Sequence, residues 1–156
     1  MPCILGIDPG VSGAVAFYFP DQPSRVAAFD VPVAGGEISA PHLADLVLGF
    51  APSMAVIERV ASRPGQGVSS VFSFGRAYGD VRGVIGALRV PIHYVTPAVW
   101  KKHFRLSSDK EESRALAIRF FPSCADHFKR KKDDGRAEAA LIALYGAEVI
   151  LNRSAA

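Results

Sequence analysis

With 156 residues, 49% of them apolar and 21% charged, the chain has enough material for one domain with a sizeable core and too little for two. That composition excludes a disordered or fibrous protein, and no apolar run approaches the length of a membrane span. The net charge of +3 is unevenly spread: residues 1–99 carry six Arg, no Lys and seven acids, whereas residues 100–156 carry twelve Lys and Arg against eight acids and hold every lysine. Clustered lysines suit a phosphate-rich partner, because neutralising phosphates releases counterions without demanding fixed geometry; a solvated basic face is the alternative. The start, Met1-Pro2-Cys3-Ile4-Leu5-Gly6, lacks the basic segment of a signal peptide, so a cytoplasmic location in a bacterium or phage-infected host is expected. The two cysteines, Cys3 in an apparent core strand and Cys124 far along the chain, do not form a disulfide framework or a paired metal motif.

Residues 3–7 form an apolar run ending at Asp8-Pro9-Gly10, which predicts a buried strand followed by a turn. Residues 14–18 predict a second strand, joined to the first by a tight turn containing Ser12-Gly13, and residues 25–31 a third. Such short connections imply an antiparallel start. Leu43, Leu46, Val47 and Phe50 then repeat at helical spacing over residues 42–50, and residues 54–57 form a short apolar strand running into Glu58. Residues 62–69 read as a loop. Residues 71–88 predict a long helix carrying Gly75, Gly79, Gly83 and Gly86. Each glycine costs about 1 kcal/mol relative to alanine in a helix, so the set points to close packing against the sheet or against another chain. A strand over 91–95, a helix over 109–120 with an acidic first turn, a charged loop over 129–133 and a helix over 135–151 complete the chain. The order is β-β-β-α-β-α-β-α-α. It implies an α/β fold: a five-stranded mixed sheet, its first three strands antiparallel, with helices on both faces.

Acidic residues stand out by position. Asp8 and Glu58 each close an apolar strand, and both ends are expected at the same rim of the sheet, where ligands collect in open α/β folds. Asp133-Asp134 and Glu138 form a third group, with Asp134 and Glu138 four apart on one face of the last helix. Gathered carboxylates raise one another's pKa unless a cation compensates. Hard oxygen donors at this density suit Mg²⁺ or Mn²⁺, and two such ions about 4 Å apart support phosphodiester hydrolysis. A helix cap or a solvated loop end is the competing role for Asp134 or Glu138 taken alone.

In these residues the chain resembles the RuvC-like Holliday junction resolvases of the RNase H-like superfamily, their phage-type members in particular, over roughly residues 4–146. Ile4-Leu5-Gly6-Ile7-Asp8-Pro9-Gly10 is similar to the family's first strand with its metal-binding aspartate, and Val56-Ile57-Glu58-Arg59-Val60 to the strand with its metal-binding glutamate. Phe74-Gly75-Arg76-Ala77-Tyr78-Gly79 falls where the family has the small-residue helix that packs its dimer. Thr96-Pro97-Ala98-Val99-Trp100-Lys101 resembles a segment whose lysine contacts DNA or supports catalysis, and Asp109-Lys110-Glu111 one whose lysine acts near the scissile phosphate. Asp134-Gly135-Arg136-Ala137-Glu138 resembles the closing acidic helix.

The resemblance implies one RNase H-like nuclease domain over residues 1–156. It implies a homodimer that cuts four-way DNA junctions and other branched DNA with Mg²⁺, Mn²⁺ substituting, and leaves 5′ phosphates. Asp8, Glu58, Glu138 and Asp134 would be the metal ligands, with Asp133 the alternative to Asp134. Lys110 and Lys101 would offset charge in the transition state. The competing role for Lys110 is a surface pair with Glu111 or Glu112, and for Lys101 and Lys102 it is plain phosphate attraction. Arg63, Arg76, Lys101, Lys102, Lys129, Arg130, Lys131 and Lys132 are the expected DNA contacts, most of them to the backbone. His103 is a candidate DNA contact, and Trp100 is read as packing.

Two departures from the family pattern matter. Bacterial members carry two aspartates three apart in the last helix, and here the acids are four apart. Residues 61–67 also lack the aromatic that wedges into the junction in those relatives. Competing classes are a same-fold nuclease for RNA–DNA hybrids or flaps, a non-catalytic branched-DNA-binding protein, and an actin-like or sugar-kinase-like phosphotransferase. The last would need a second glycine hairpin and a second domain, and the chain has neither.

Overall fold

The computed structural model describes residues 2–156. Its main sheet is built from β1 (Ile4–Asp8), β2 (Ala14–Tyr18), β3 (Val26–Asp30), β6 (Met54–Glu58) and β7 (Ile92–Val95), in the order β3-β2-β1-β6-β7. The first three strands pair antiparallel, while β6 runs parallel to β1 with Ile7 opposite Ile57, and β7 parallel to β6 with Glu58 opposite Val95. The expected five-stranded mixed sheet is therefore present. A small hairpin of β4 (Val33–Ala34) and β5 (Glu37–Ile38) was not legible in the sequence; Gly35 and Gly36, both at positive φ, make its two-residue turn.

Strands β1, β2 and β6 are buried on both faces, which is why they read as unbroken apolar runs. One face, with Leu5, Ile7, Val15, Phe17 and Ile57, packs under α1 (Ala40–Phe50) and α2 (Val68–Ala87). The other, with Ile4, Ala14, Ala16 and Val56, packs under α5 (Asp134–Tyr145), flanked by α3 (Pro97–His103) and α4 (Lys110–Phe120). Helix α5 is buried throughout from Ala137 to Tyr145 because it lies directly on β1 and β2. Gly6 permits that approach: a Cβ there would collide with the backbone of Ala139 and Ala143.

Several boundaries differ from expectation. Helix α2 begins at Val68, so the preceding loop is shorter than its composition suggested. Helix α3 is not legible in the sequence, because seven residues are too few to show a period. Residues 129–133 are not an open loop; they include a 3₁₀ turn, Lys131–Asp133, whose last residue is buried. The final helix changes after Tyr145 to a π-helical stretch, Gly146–Leu151, before a short α6 (Asn152–Ala155).

The glycines of α2 do not pack on the sheet. Ala77, Val81 and Ile85 face the core, whereas a Cβ added at Gly75, Gly79, Gly83 or Gly86 would meet nothing within 4 Å. Among the described residues, no helix is long and apolar enough to cross a membrane.

Candidate active site

Parallel pairing of β1 and β6 sets Asp8 and Glu58 side by side at one rim of the sheet. Beyond Asp8 the chain turns sharply through Gly10, at φ 131°, and Gly13, where a Cβ would collide with the Asp8 carbonyl. The first turn of α5 closes over the same rim. A Cβ at Gly135 would lie 3.3 Å from Asp8 Oδ2, so the absence of a side chain lets the helix start sit against that carboxylate. Glu138, one turn further, is buried.

Electrostatics tie these acids together. Burial pushes the Asp8 carboxyl well above the usual carboxylate range, and the charges of Glu138 and Glu58 push it further, against Lys110. Burial also raises Glu58, opposed first by a hydrogen bond that Trp100 Nε1 donates to Glu58 Oε2 at 2.7 Å. Glu138 is raised by burial, with the charge of Lys101 the main opposing influence. Lys101 Nζ stands 3.9 Å from Glu138 Oε1, and Lys110 Nζ 2.9 Å from Asp134 Oδ2. Lys110 is thus not the surface partner of its helix neighbours: Glu111 pairs with Arg114, and Glu112 accepts from the Ser107 amide.

The two adjacent aspartates have different surroundings. Asp133 is 1% exposed, and its carboxylate is taken up by the Arg130 guanidinium and backbone N–H. Burial alone would raise its pKa, but these bonds outweigh burial and hold it below the ordinary range. Asp134 instead faces Lys110 and Asp8.

With all four carboxylates ionised, the two ammonium groups at the rim leave a surplus of two negative charges, which one Mg²⁺ would neutralise. Buried and half-buried oxygen donors with this surplus of negative charge fit a hard divalent cation. Among the described residues, no three acidic, His or Cys side chains already close into a coordination shell.

The expected DNA contacts divide. Lys132 borders the groove at Asp8, together with Lys110 and Asp134. Arg63 lines a second groove beginning at Glu58. Lys102 and Lys131 are exposed. Lys129 pairs with Asp126 at 2.7 Å, Arg130 with Asp133 at 2.8 Å and Arg76 with Glu37 at 3.0 Å, so these three already hold a carboxylate. His103 bonds Glu148 at 2.7 Å.

Two residues at this rim are not marked as such by the sequence. Trp100 packs as expected but also serves Glu58; the signal was that a buried indole N–H needs an acceptor. Phe74, on α2, lines both grooves and meets the turn at Gly10, so an aromatic stands at this rim although residues 61–67 have none.

No protein-family model and no curated protein sequence matches the chain. Solved structures do. RuvC from Thermus thermophilus in complex with a Holliday junction substrate aligns with a TM-score of 0.61 at 14% identity, covering 95% of this chain and 96% of that one. The yeast mitochondrial Holliday junction resolvase aligns at 0.60 and 16%, covering 98% and 84%. The fowlpox virus Holliday junction resolvase aligns at 0.54 and 16%, covering 95% and 99%. At these identities the likeness establishes the fold, and the fold is the one the sequence resemblance implied.

Proposed function

We propose that this protein is a divalent-metal-dependent endonuclease that cuts branched DNA, with the four-way junction as its foremost substrate. The observation that carries this reading is the convergence of Asp8, Glu58, Glu138 and Asp134 at one rim, under-compensated by Lys101 and Lys110, on a fold shared with three junction resolvases.

In this reading the four carboxylates hold Mg²⁺, and Mn²⁺ substitutes. The cation supplies Lewis-acid stabilisation of the phosphate and lowers the pKa of water. Asp134 is the fourth ligand, because Asp133 is already spent on Arg130. Trp100 fixes the orientation of Glu58, as partners behind a ligand usually do. Lys110, held at the groove by Asp134, places its positive charge where negative charge develops on the phosphate. Lys101 does the same from α3. Lys132 and Arg63, on the walls of the two grooves, attract the backbone without reading sequence. The products are expected to carry 5′ phosphates.

A four-way junction is nearly two-fold symmetric, so symmetric nicking calls for two sites and a homodimer. The open glycine face of α2 supports that face as the interface, since nothing in the monomer uses it.

Cleavage of a labelled four-way junction against duplex, flap and RNA–DNA hybrid, with Mg²⁺ or Mn²⁺, tests the reading. Asp8→Asn should abolish cutting while junction binding survives. A variant that cuts normally would refute this assignment of the site, and preference for hybrid would move the substrate elsewhere.

A further inference from the structure

Strand alternation at the end of β6 sends Glu58 and Arg59 to opposite faces of the sheet. Glu58 joins the acids under α5, and Arg59 emerges on the α2 side, its N–H still donating to the Val95 carbonyl at 2.7 Å. The Arg59 guanidinium lies 4.8 Å from the centre of the Tyr94 ring. From α2, Arg82 reaches the same tyrosine: its Nε donates to Tyr94 Oη at 2.9 Å, and its guanidinium stands 5.7 Å from that ring and 5.6 Å from the ring of Tyr78. Tyr94 belongs to β7, the edge strand, which no further strand covers. Two arginines are therefore mounted on one aromatic post beside the acidic rim.

Neither has a carboxylate within 4.0 Å among the described residues, whereas Arg76, Arg114, Arg130 and Arg136 each have one. Arg63, on the wall of the groove that runs from Glu58 past Arg59, also lacks one. Gathering like charges without a counter-charge is unfavourable unless a polyanion supplies it. The Tyr94 ring holds Arg59 and the Tyr94 hydroxyl holds Arg82 through Nε, so both side chains lose little freedom on binding and keep their terminal N–H donors for phosphate oxygens.

We propose that Arg59 and Arg82, positioned by Tyr94, grip the phosphate backbone of a DNA arm that leaves the acidic rim across edge strand β7. This inference rests on the nuclease reading above. It adds a contact surface on the sheet face opposite the lysines of α3 and α4, so that DNA is held from both sides of the rim. The contacts address phosphate, and the grip is expected to be indifferent to base sequence.

Binding of a fluorescent four-way junction to the full-length protein in EDTA, titrated across a salt series, tests the grip. Arg59→Gln and Arg82→Gln should each weaken binding about tenfold near 0.1 M salt, and each should lower the slope of log K against log salt by about one. Arg59→Lys and Arg82→Lys should recover most of the slope, because the charge remains. Tyr94→Leu should weaken binding while the melting temperature shows the fold intact. Glutamine variants with the wild-type affinity and slope would overturn the grip and leave the nuclease reading standing. So would an Arg82→Gln loss that sedimentation traces entirely to failed self-association through the neighbouring glycine face. Wild-type protein that binds no DNA at all would overturn both.

Discussion

Trp100 Nε1 donates a 2.7 Å hydrogen bond to Glu58 Oε2, and both side chains are buried. The indole gives α3 a fixed seat against the end of β6, and it is the leading influence holding the Glu58 pKa down against burial. Packing and electrostatics therefore meet in one residue.

Trp100→Phe keeps much of the packing and removes the donor. A buried carboxylate oxygen left without its partner costs about 1–3 kcal/mol. Glu58 should then hold its proton to higher pH. The acidic limb of the pH–cleavage profile should shift upward, and the Mg²⁺ needed for half-maximal rate should rise roughly tenfold or more. A variant with lowered melting temperature but an unmoved pH profile would reduce Trp100 to packing alone.

The acidic rim also governs stability without metal. Asp8, Glu58 and Glu138 have folded pKa values above their unfolded ones, so the folded state binds protons more tightly. Stability from this source is fully present below the ordinary carboxylate range and is lost as pH rises toward the raised values. Asp133 acts in the opposite sense: its lowered pKa adds stability above the ordinary range, lost as pH falls through the folded value. In EDTA the melting temperature should decline from mildly acidic toward neutral pH, and Mg²⁺ should restore it by binding the folded state. Asp8→Asn should raise the metal-free melting temperature at neutral pH by a few degrees, at roughly 2–4 °C per kcal/mol. A fall on Asp8→Asn would show that the carboxylates are not in mutual repulsion.

How far the sequence could be read follows from these same residues. Asp8 and Glu58 were visible because each closes an apolar strand, whereas the placing of β6 directly beside β1 comes from the crossover in the fold. Trp100 was visible as a residue but not as a partner, since α3 is too short to betray its face. Asp133 and Asp134 are adjacent, so composition could not tell their surroundings apart; in the fold Arg130 pairs with Asp133 and Lys110 with Asp134. The α2 glycines allowed two readings, and only the position of the sheet relative to Gly75, Gly79 and Gly83 decides that they face away from it.

That open face carries its own prediction. Gly79→Ala and Gly83→Ala add a methyl group where the monomer has space, so each should stabilise the isolated fold by about 0.5–1 kcal/mol. If two copies meet there with backbones in close approach, the same methyl groups should weaken self-association, and Gly79→Arg should abolish it. Analytical ultracentrifugation beside thermal melting separates the two effects. A dimer indifferent to Gly79→Arg would place the interface on another surface.

Lys110 tests the chemistry most directly. Its ammonium bonds Asp134 Oδ2 at 2.9 Å, yet its side chain is 67% exposed, and a surface pair of that kind contributes little to folding. Lys110→Met should therefore leave the melting temperature nearly unchanged. If the ammonium neutralises charge developing on the phosphate, the single-turnover cleavage rate at saturating protein should fall about 10²–10³-fold, the range for removing one preorganised donor. Lys110→Arg keeps the charge but spreads it over a planar fork, and should recover only part of the rate. Were Lys110→Met to weaken junction binding while the saturated rate held, the lysine would be a backbone contact, and Lys101, 3.9 Å from Glu138, would be the remaining candidate for the catalytic cation.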